Sequence, residues 1–180
     1  RLEIGPTNLD RAVALDVITA SAVGIVYAVA AGLLVGLRKH RAHRVVPFIA
    51  WVREQFPDVV ISVDTWRASV ALQACEAGAD LVNDTWAGAD PDLVQVAASR
   101  GAGLVCSHTG GAVPRTRPFR VNYGTTVTGV VDDVIAEVTA AAEHAAAVGV
   151  ARDAILIDPT HDFGKNTYHG LTLLRHVKDL

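Results

Sequence analysis

Val59-Val60-Ile61-Ser62-Val63, closing on Asp64, decides how this chain is read, because the same form recurs three more times. Asp80-Leu81-Val82 closes on Asn83, Gly103-Leu104-Val105-Cys106 on Ser107 and His108, and Ala154-Ile155-Leu156-Ile157 on Asp158. Short, continuous Val/Ile/Leu runs suit strands buried on both faces, and parallel strands require helical crossovers. Every run but the last is followed by a helix-like stretch, so the pattern is one of repeated βα units in a parallel sheet. Polar residues at the carboxyl ends of such strands share one rim, where barrel and doubly wound enzymes build their sites.

The punctuation between the runs agrees. Val45, Phe48, Ile49, Val52 and Phe56 recur at helical spacing before Pro57-Asp58. The spacing predicts a helix from about Trp66, stopped by Gly78, and another opened by Asp90 as N-cap with Pro91 at its first position and closed by Gly101. A long helix with a valine stripe is expected from about Thr126 to Val148, ended by Gly149, and a last one over Leu171 to Leu180.

With 180 residues, 51% of them hydrophobic, the chain builds one core but is short of the ~250 residues of a complete eight-stranded barrel. A formal net charge of −3 and a pI near 6.1 give no electrostatic footprint for nucleic acid, which is not an expected partner. Cys75 and Cys106 stand alone, without C-x-x-C spacing, and read as buried, reduced thiols of a cytoplasmic protein.

Val17 to Leu37 is an uncharged run rich in Ala, Val and Gly, preceded by Asp16 and followed by Arg38, Lys39, Arg41 and Arg44. It reads as an atypical apolar helix, either a membrane span or a helix buried in a soluble core. Ala and Gly make insertion marginal, and the basic cluster keeps the following domain on the cytoplasmic side either way. A cleavable signal peptide is not expected, since the basic residues follow the apolar stretch. The one long connection, His108 to Thr125, carries Arg115, Arg117 and Arg120. It reads as a functional lid whose arginines bind an anion, or as a solvated loop.

A carboxylate at a strand terminus in a half-buried cleft accepts two adjacent N–H donors, as a 2-amino-4-oxo heterocycle presents, and an asparagine offers donor and acceptor to the same kind of ring. Asp64, Asn83 and Asp158 thus suit a flat, nitrogen-rich ligand. Each also has a local explanation: Asp64 or Thr65 as a helix cap, Asn83 or Asp84 as an Asx turn, Asp158-Pro159 as a turn starter. Ser107 and His108 do not form a nucleophile and base, because neighbours on a strand point to opposite faces. His161, His169 and His176 lack the spacing of a metal site, and no metal ligand set is assigned.

Ile61-Ser62-Val63-Asp64-Thr65, Leu81-Val82-Asn83-Asp84, Ser107-His108 and Asp158-Pro159-Thr160-His161-Asp162-Phe163-Gly164-Lys165-Asn166, in this order and spacing, resemble the dihydropteroate synthase family of pterin-binding barrel proteins. The resemblance covers about Arg44 to Leu180. It implies an α/β fold, part of a (β/α)8 barrel, with residues 1–40 as an atypical segment and 41–180 as the pterin-binding domain. It implies transfer of a pterin from its pyrophosphate to p-aminobenzoate in folate biosynthesis, with Mg²⁺, in a protein that forms homodimers. By the family's motifs, Asp64, Asn83 and Asp158 bind the pterin, while Ser107, Phe163 and Lys165 support the site.

The departures point to a second reading. Thr160 and Asp162 stand where the family has glycines, and their side chains are expected to alter the loop and crowd the ligand. This form is similar to the diverged second homologue of actinobacteria, which is not associated with folate production. Four of eight βα units are recognisable, without the first-strand N-x-T-P-D-S-F, the second-strand D-x-G-G, or the seventh- and eighth-strand lysine, arginine and histidine. The chain is therefore expected to be catalytically inactive as it stands. The alternatives to an active synthase are a non-catalytic pterin- or phosphate-binding homologue and a truncated pseudogene product.

Overall fold

Apolar runs that suit burial on both sides pair with one another, and here they pair in chain order. One parallel sheet holds β1 (Ile25–Ala28), β2 (Val60–Asp64), β3 (Leu81–Asp84), β4 (Gly103–Ser107) and β5 (Ile155–Asp158), in the order β1-β2-β3-β4-β5. Helices α1 (Arg41–Gln55), α2 (Ala68–Glu76), α3 (Leu93–Arg100) and α4 (Gly129–Val148) lie between successive strands, and α5 (Thr167–Arg175) follows β5. The computed structural model describes residues 25–28, 41–111, 121–161 and 163–180. A strand order that advances without turning back is that of a barrel; a doubly wound sheet reverses at a switch point. The fold is α/β, part of a (β/α)8 barrel.

The register divides the side chains into two sets, because partners across a parallel ladder share a face and neighbours along a strand alternate. Ile61, Val63, Val82, Leu104 and Cys106 face the helices and join Ile49, Val52, Ala71, Ala74, Leu93 and Ala97 in the main core. The opposite face carries Ser62, Asp64, Asn83, Val105, Ser107, Leu156 and Asp158. This is the barrel's inner side. A smaller apolar cluster, Val130, Val131, Val134 and Val138 of α4 with Leu173 of α5, holds the last helix.

Away from the carboxyl rim, Arg53 of α1 stitches the amino-terminal ends together. Its guanidinium donates to the carbonyls of Gly78, Pro57 and Val59 and pairs with Asp80, whose carboxylate also accepts from the Ile61 amide at 2.7 Å. Gly78 adopts φ +112°, and a Cβ there would press within 3.0 Å of the Arg53 side chain. The turn needs a residue without one.

Three expectations are corrected. Residues 25–28 of the Val17–Leu37 run, expected to be helical, are the strand β1, pairing with Val60–Val63. Ile-Val-Tyr is strand chemistry that a long Ala/Gly context conceals. The rest of the run lies outside the described residues, among which no helix is long and apolar enough to cross a membrane. Asp90 does not cap α3: its carboxylate accepts from Ala68 at 2.9 Å, at the start of α2, and from Asp92 at 3.2 Å. The last helix, expected over Leu171 to Leu180, begins at Thr167, where Asn166 and His169 form a reciprocal cap, and ends at Arg175. At the β5 end, Leu156 and Ile157 are exposed, as are Tyr168, Leu171, Leu174 and Val177.

Candidate functional site

Register brings the polar strand ends together. Asp64 on β2 is the partner of Asn83 on β3, and Ser107 on β4 is the partner of Asp158 on β5. All four lie on the inner face at the carboxyl rim. The ladder continues past the strand ends through Thr65 N–H to Asn83 O at 3.2 Å and His108 N–H to Asp158 O at 3.1 Å.

Three buried polar atoms on this face have no hydrogen-bond partner: Ser62 Oγ, Asn83 Oδ1 and Ser107 Oγ. A buried polar atom left unpaired costs about 1–3 kcal/mol, and these three share one face of the sheet. Asp64 is half-buried, and burial raises its pKa first, with the Asp84 charge adding to the rise and the 3.4 Å hydrogen bond from Thr85 opposing it.

The local explanations divide among the residues. Asp84, not Asn83, makes the turn, accepting from Trp86 N–H at 3.1 Å and Gly88 N–H at 2.7 Å. Thr65 Oγ1 accepts from Arg67 N–H at 3.2 Å and leaves Asp64 out of the helix start. Asp158 does start a turn: its Oδ1 accepts from Thr160 N–H at 2.7 Å. Thr160 holds φ +47°, the left-handed region, with its hydroxyl donating to Asp158 O at 3.1 Å. Thr160 thus holds, with its side chain, a backbone conformation that favours glycine. Its side chain is buried. Strain of this kind costs about 1–3 kcal/mol. Asp162, Arg115, Arg117 and Arg120 lie outside the described residues.

Behind the sheet is an arrangement the motifs did not announce. His108 points away from Ser107, as alternation requires, into contact with α4. Its Nε2 lies 2.9 Å from Asp133 and 3.3 Å from Glu137, and its Nδ1 lies 2.7 Å from Lys165 Nζ. The three N–H groups of Lys165 are shared among Nδ1 and the carbonyls of His108, Thr160 and Phe163, which lie at 3.2, 2.9 and 3.1 Å. Lys165 and Phe163 thus brace the loop after β5. An ammonium only donates, so Nδ1 accepts and the ring proton sits on Nε2, shared with Asp133. Burial lowers the His108 pKa first, the Asp133 hydrogen bond raises it, and the Lys165 charge lowers it further.

His108, Asp133 and Glu137 place three ligand atoms within 4.8 Å of one another. They do not fit a cation: its nitrogen ligand would be Nε2, which carries the proton, and the outer nitrogen of a metal-bound histidine donates, whereas Nδ1 here accepts from a cation. His169 accepts from Asn166 and meets Tyr123 edge-on at 4.8 Å, His176 pairs with Asp179 at 2.8 Å, and His161 is exposed. Cys75 and Cys106 are free, and burial pushes the Cys106 thiol up to about 11.

A partial (β/α) barrel with carboxylates and unpaired polar atoms at the inner carboxyl rim defines the class of protein. A family model described as pterin binding enzyme matches residues 38–180, and the chain belongs to that family. It is 72% identical over 137 residues to a Mycobacterium leprae protein named inactive dihydropteroate synthase 2, covering 76% of this chain and 47% of that protein. Its structure is similar to that of dihydropteroate synthase from Anaplasma phagocytophilum with bound 6-hydroxymethylpterin-monophosphate, at TM-score 0.68 and 26% identity, covering 77% of this chain and 53% of that one. The Xanthomonas albilineans dihydropteroate synthase with 4-aminobenzoic acid gives TM-score 0.65 and 28% identity over 78% of this chain and 47% of that one. The chain thus spans about half the length of these relatives.

Proposed function

We propose that this chain is a dihydropteroate synthase-type protein that binds a pterin at the inner carboxyl rim without itself completing the transfer to p-aminobenzoate. Asp64 and Asp158 accept from the ring's adjacent N–H groups, and Asn83 pairs with its amide edge. Ser107 lines the same face. The observation that carries the reading is the row of unpaired buried atoms, Ser62 Oγ, Asn83 Oδ1 and Ser107 Oγ, beside two half-buried carboxylates. A planar ligand with donors on one edge and acceptors beside them satisfies such a row.

Two features favour a binder over a working synthase. Thr160 fills space beside Asp158 where the family's motif has a glycine, and a relative of high identity is named inactive. The condensation remains the second reading, favoured by the likeness to synthases with bound pterin and 4-aminobenzoic acid. In that reading the C–O bond to pyrophosphate breaks, the arylamine nitrogen bonds to the freed methylene and loses one proton, which leaves with the pyrophosphate, and the rim's polar field stabilises the separating charges. Mg²⁺ would assist that departure, but the described rim residues gather no set of three ligands for it, and no step is assigned to it. A cytoplasmic location, homodimer formation and anion binding by Arg115 and Arg117 belong to the same proposal.

Calorimetric titration with 6-hydroxymethylpterin tests the binding. We expect heat from the wild-type chain and a loss of about 1–3 kcal/mol in affinity for Asp158→Ala, the magnitude of a buried hydrogen bond to a charged group. Unchanged affinity in that variant would remove Asp158 from the site. Release of pyrophosphate dependent on p-aminobenzoate would establish the second reading instead.

A further inference from the structure

The loops after β2 and β3 carry a stack that the pterin site leaves unused. Trp66, two residues beyond Asp64, lies face to face with Trp86, two beyond Asp84, with ring centroids 4.6 Å apart and planes inclined by 4°. The Arg67 guanidinium carbon sits 4.7 Å from the Trp66 ring centroid. Stacking on an indole holds a guanidinium flat and partly dry. Arg67 Nε is buried without a hydrogen-bond partner, and among the described residues no carboxylate forms an ion pair with this side chain.

The acids around the stack are engaged elsewhere. Both oxygens of Asp84 accept from the backbone amides of Trp86 and Gly88, and both oxygens of Asp90 from those of Ala68 and Asp92. The amide that opens α2 is therefore already satisfied, and the unmet donor at this corner of the rim belongs to the guanidinium. The guanidinium's terminal nitrogens likewise make no hydrogen bond among the described residues, and a stacked fork of this kind is matched by the planar pair of oxygens of a carboxylate or phosphoryl group.

We propose that Arg67, held flat on the Trp66–Trp86 stack, is an oxyanion-binding residue that takes the phosphoryl or carboxylate group of a ligand at this rim. The assignment rests on the pterin reading for the rest of that ligand, and its test separates the two. Trp66 and Trp86 are two of the chain's three tryptophans, so oxyanion binding is read by intrinsic fluorescence as well as by calorimetry.

The full chain, Arg67→Gln and Arg67→Lys are titrated separately with inorganic pyrophosphate, p-aminobenzoate and 6-hydroxymethylpterin. The expected result is a fluorescence change in wild type with at least one oxyanion, at least tenfold weaker binding of it in Arg67→Gln, partial retention in Arg67→Lys, and unchanged pterin affinity. Which anion binds identifies the source. The proposal falls if Arg67→Gln binds both anions as wild type does, or if wild type shows no fluorescence change with either, an outcome that requires no variant to fold. Should pyrophosphate bind through Arg67 while the pterin does not bind, the pterin reading fails and the oxyanion assignment stands.

Discussion

Replacing Lys165 by methionine tests the tie between the loop after β5 and helix α4. The lysine is 3% exposed, and its ammonium shares its N–H groups among His108 Nδ1 and three backbone carbonyls. Methionine keeps the length but donates nothing, leaving these acceptors without that donor at about 1–3 kcal/mol for each one buried. The wild type also bears the cost of desolvating the ammonium, which the variant escapes, so the net expectation is about 3–5 kcal/mol, typical of breaking a buried charged contact from one side. At about 2–4 °C per kcal/mol for a chain of this size, the melting midpoint falls by roughly 6–20 °C.

The pH dependence supplies an independent signature. Burial and the Lys165 charge hold the His108 pKa below its ordinary 6.5. The native imidazole resists a proton that the unfolded chain accepts, so wild-type stability is full above pH 6.5 and is lost as pH falls through the lower, folded pKa. In Lys165→Met one lowering influence is gone while Asp133 and Glu137 still raise the pKa. The loss on acidification therefore becomes shallower. Urea unfolding at about pH 7.5 and about pH 5.5 measures both effects. A cost below about 1 kcal/mol, or the same pH slope in both proteins, would refute the arrangement.

Arg53→Met removes the donors that stitch the carbonyls of Pro57, Val59 and Gly78 and is expected to lower stability by about 2–3 kcal/mol in denaturant titration, leaving ligand affinity untouched. Ser62→Ala removes an unpaired buried hydroxyl from the inner face, so ligand-free stability should hold or rise by up to about 1 kcal/mol. Asp64 must be ionised to accept from a pterin, and its pKa lies above the ordinary 3.8. Affinity is therefore expected to fall with acidification as pH drops through that raised value, at higher pH than an exposed aspartate would dictate, as followed by calorimetry across a pH series.

Four strands were legible because each short apolar run stops on a polar residue, and that same stop marked Asp64, Asn83 and Asp158. β1 was not, since Ile25-Val26-Tyr27-Ala28 is embedded in 21 uncharged residues whose composition suits a helix equally well. The start of α5 was hidden by a cap in which a histidine plays the part usually taken by glutamate. The His108–Lys165 tie was illegible for a different reason: its partners lie 25 and 57 residues away in sequence. A usable signal existed in Asp133 and Glu137, two carboxylates four apart on a helix otherwise packed by valines. Trp66 and Trp86 carried another, each two residues past the polar end of a strand.

Each strand of the sheet lies against the one made immediately before it. As the chain leaves the ribosome, each described strand after β1 meets an edge that is already formed. Pairing successive strands keeps the closed segments shorter than pairing sequence-distant ones would, which lowers the closure cost. Growth by accretion also leaves a hydrogen-bonding edge exposed at each stage, so the most recently added strand is the site at which nascent chains would associate with one another.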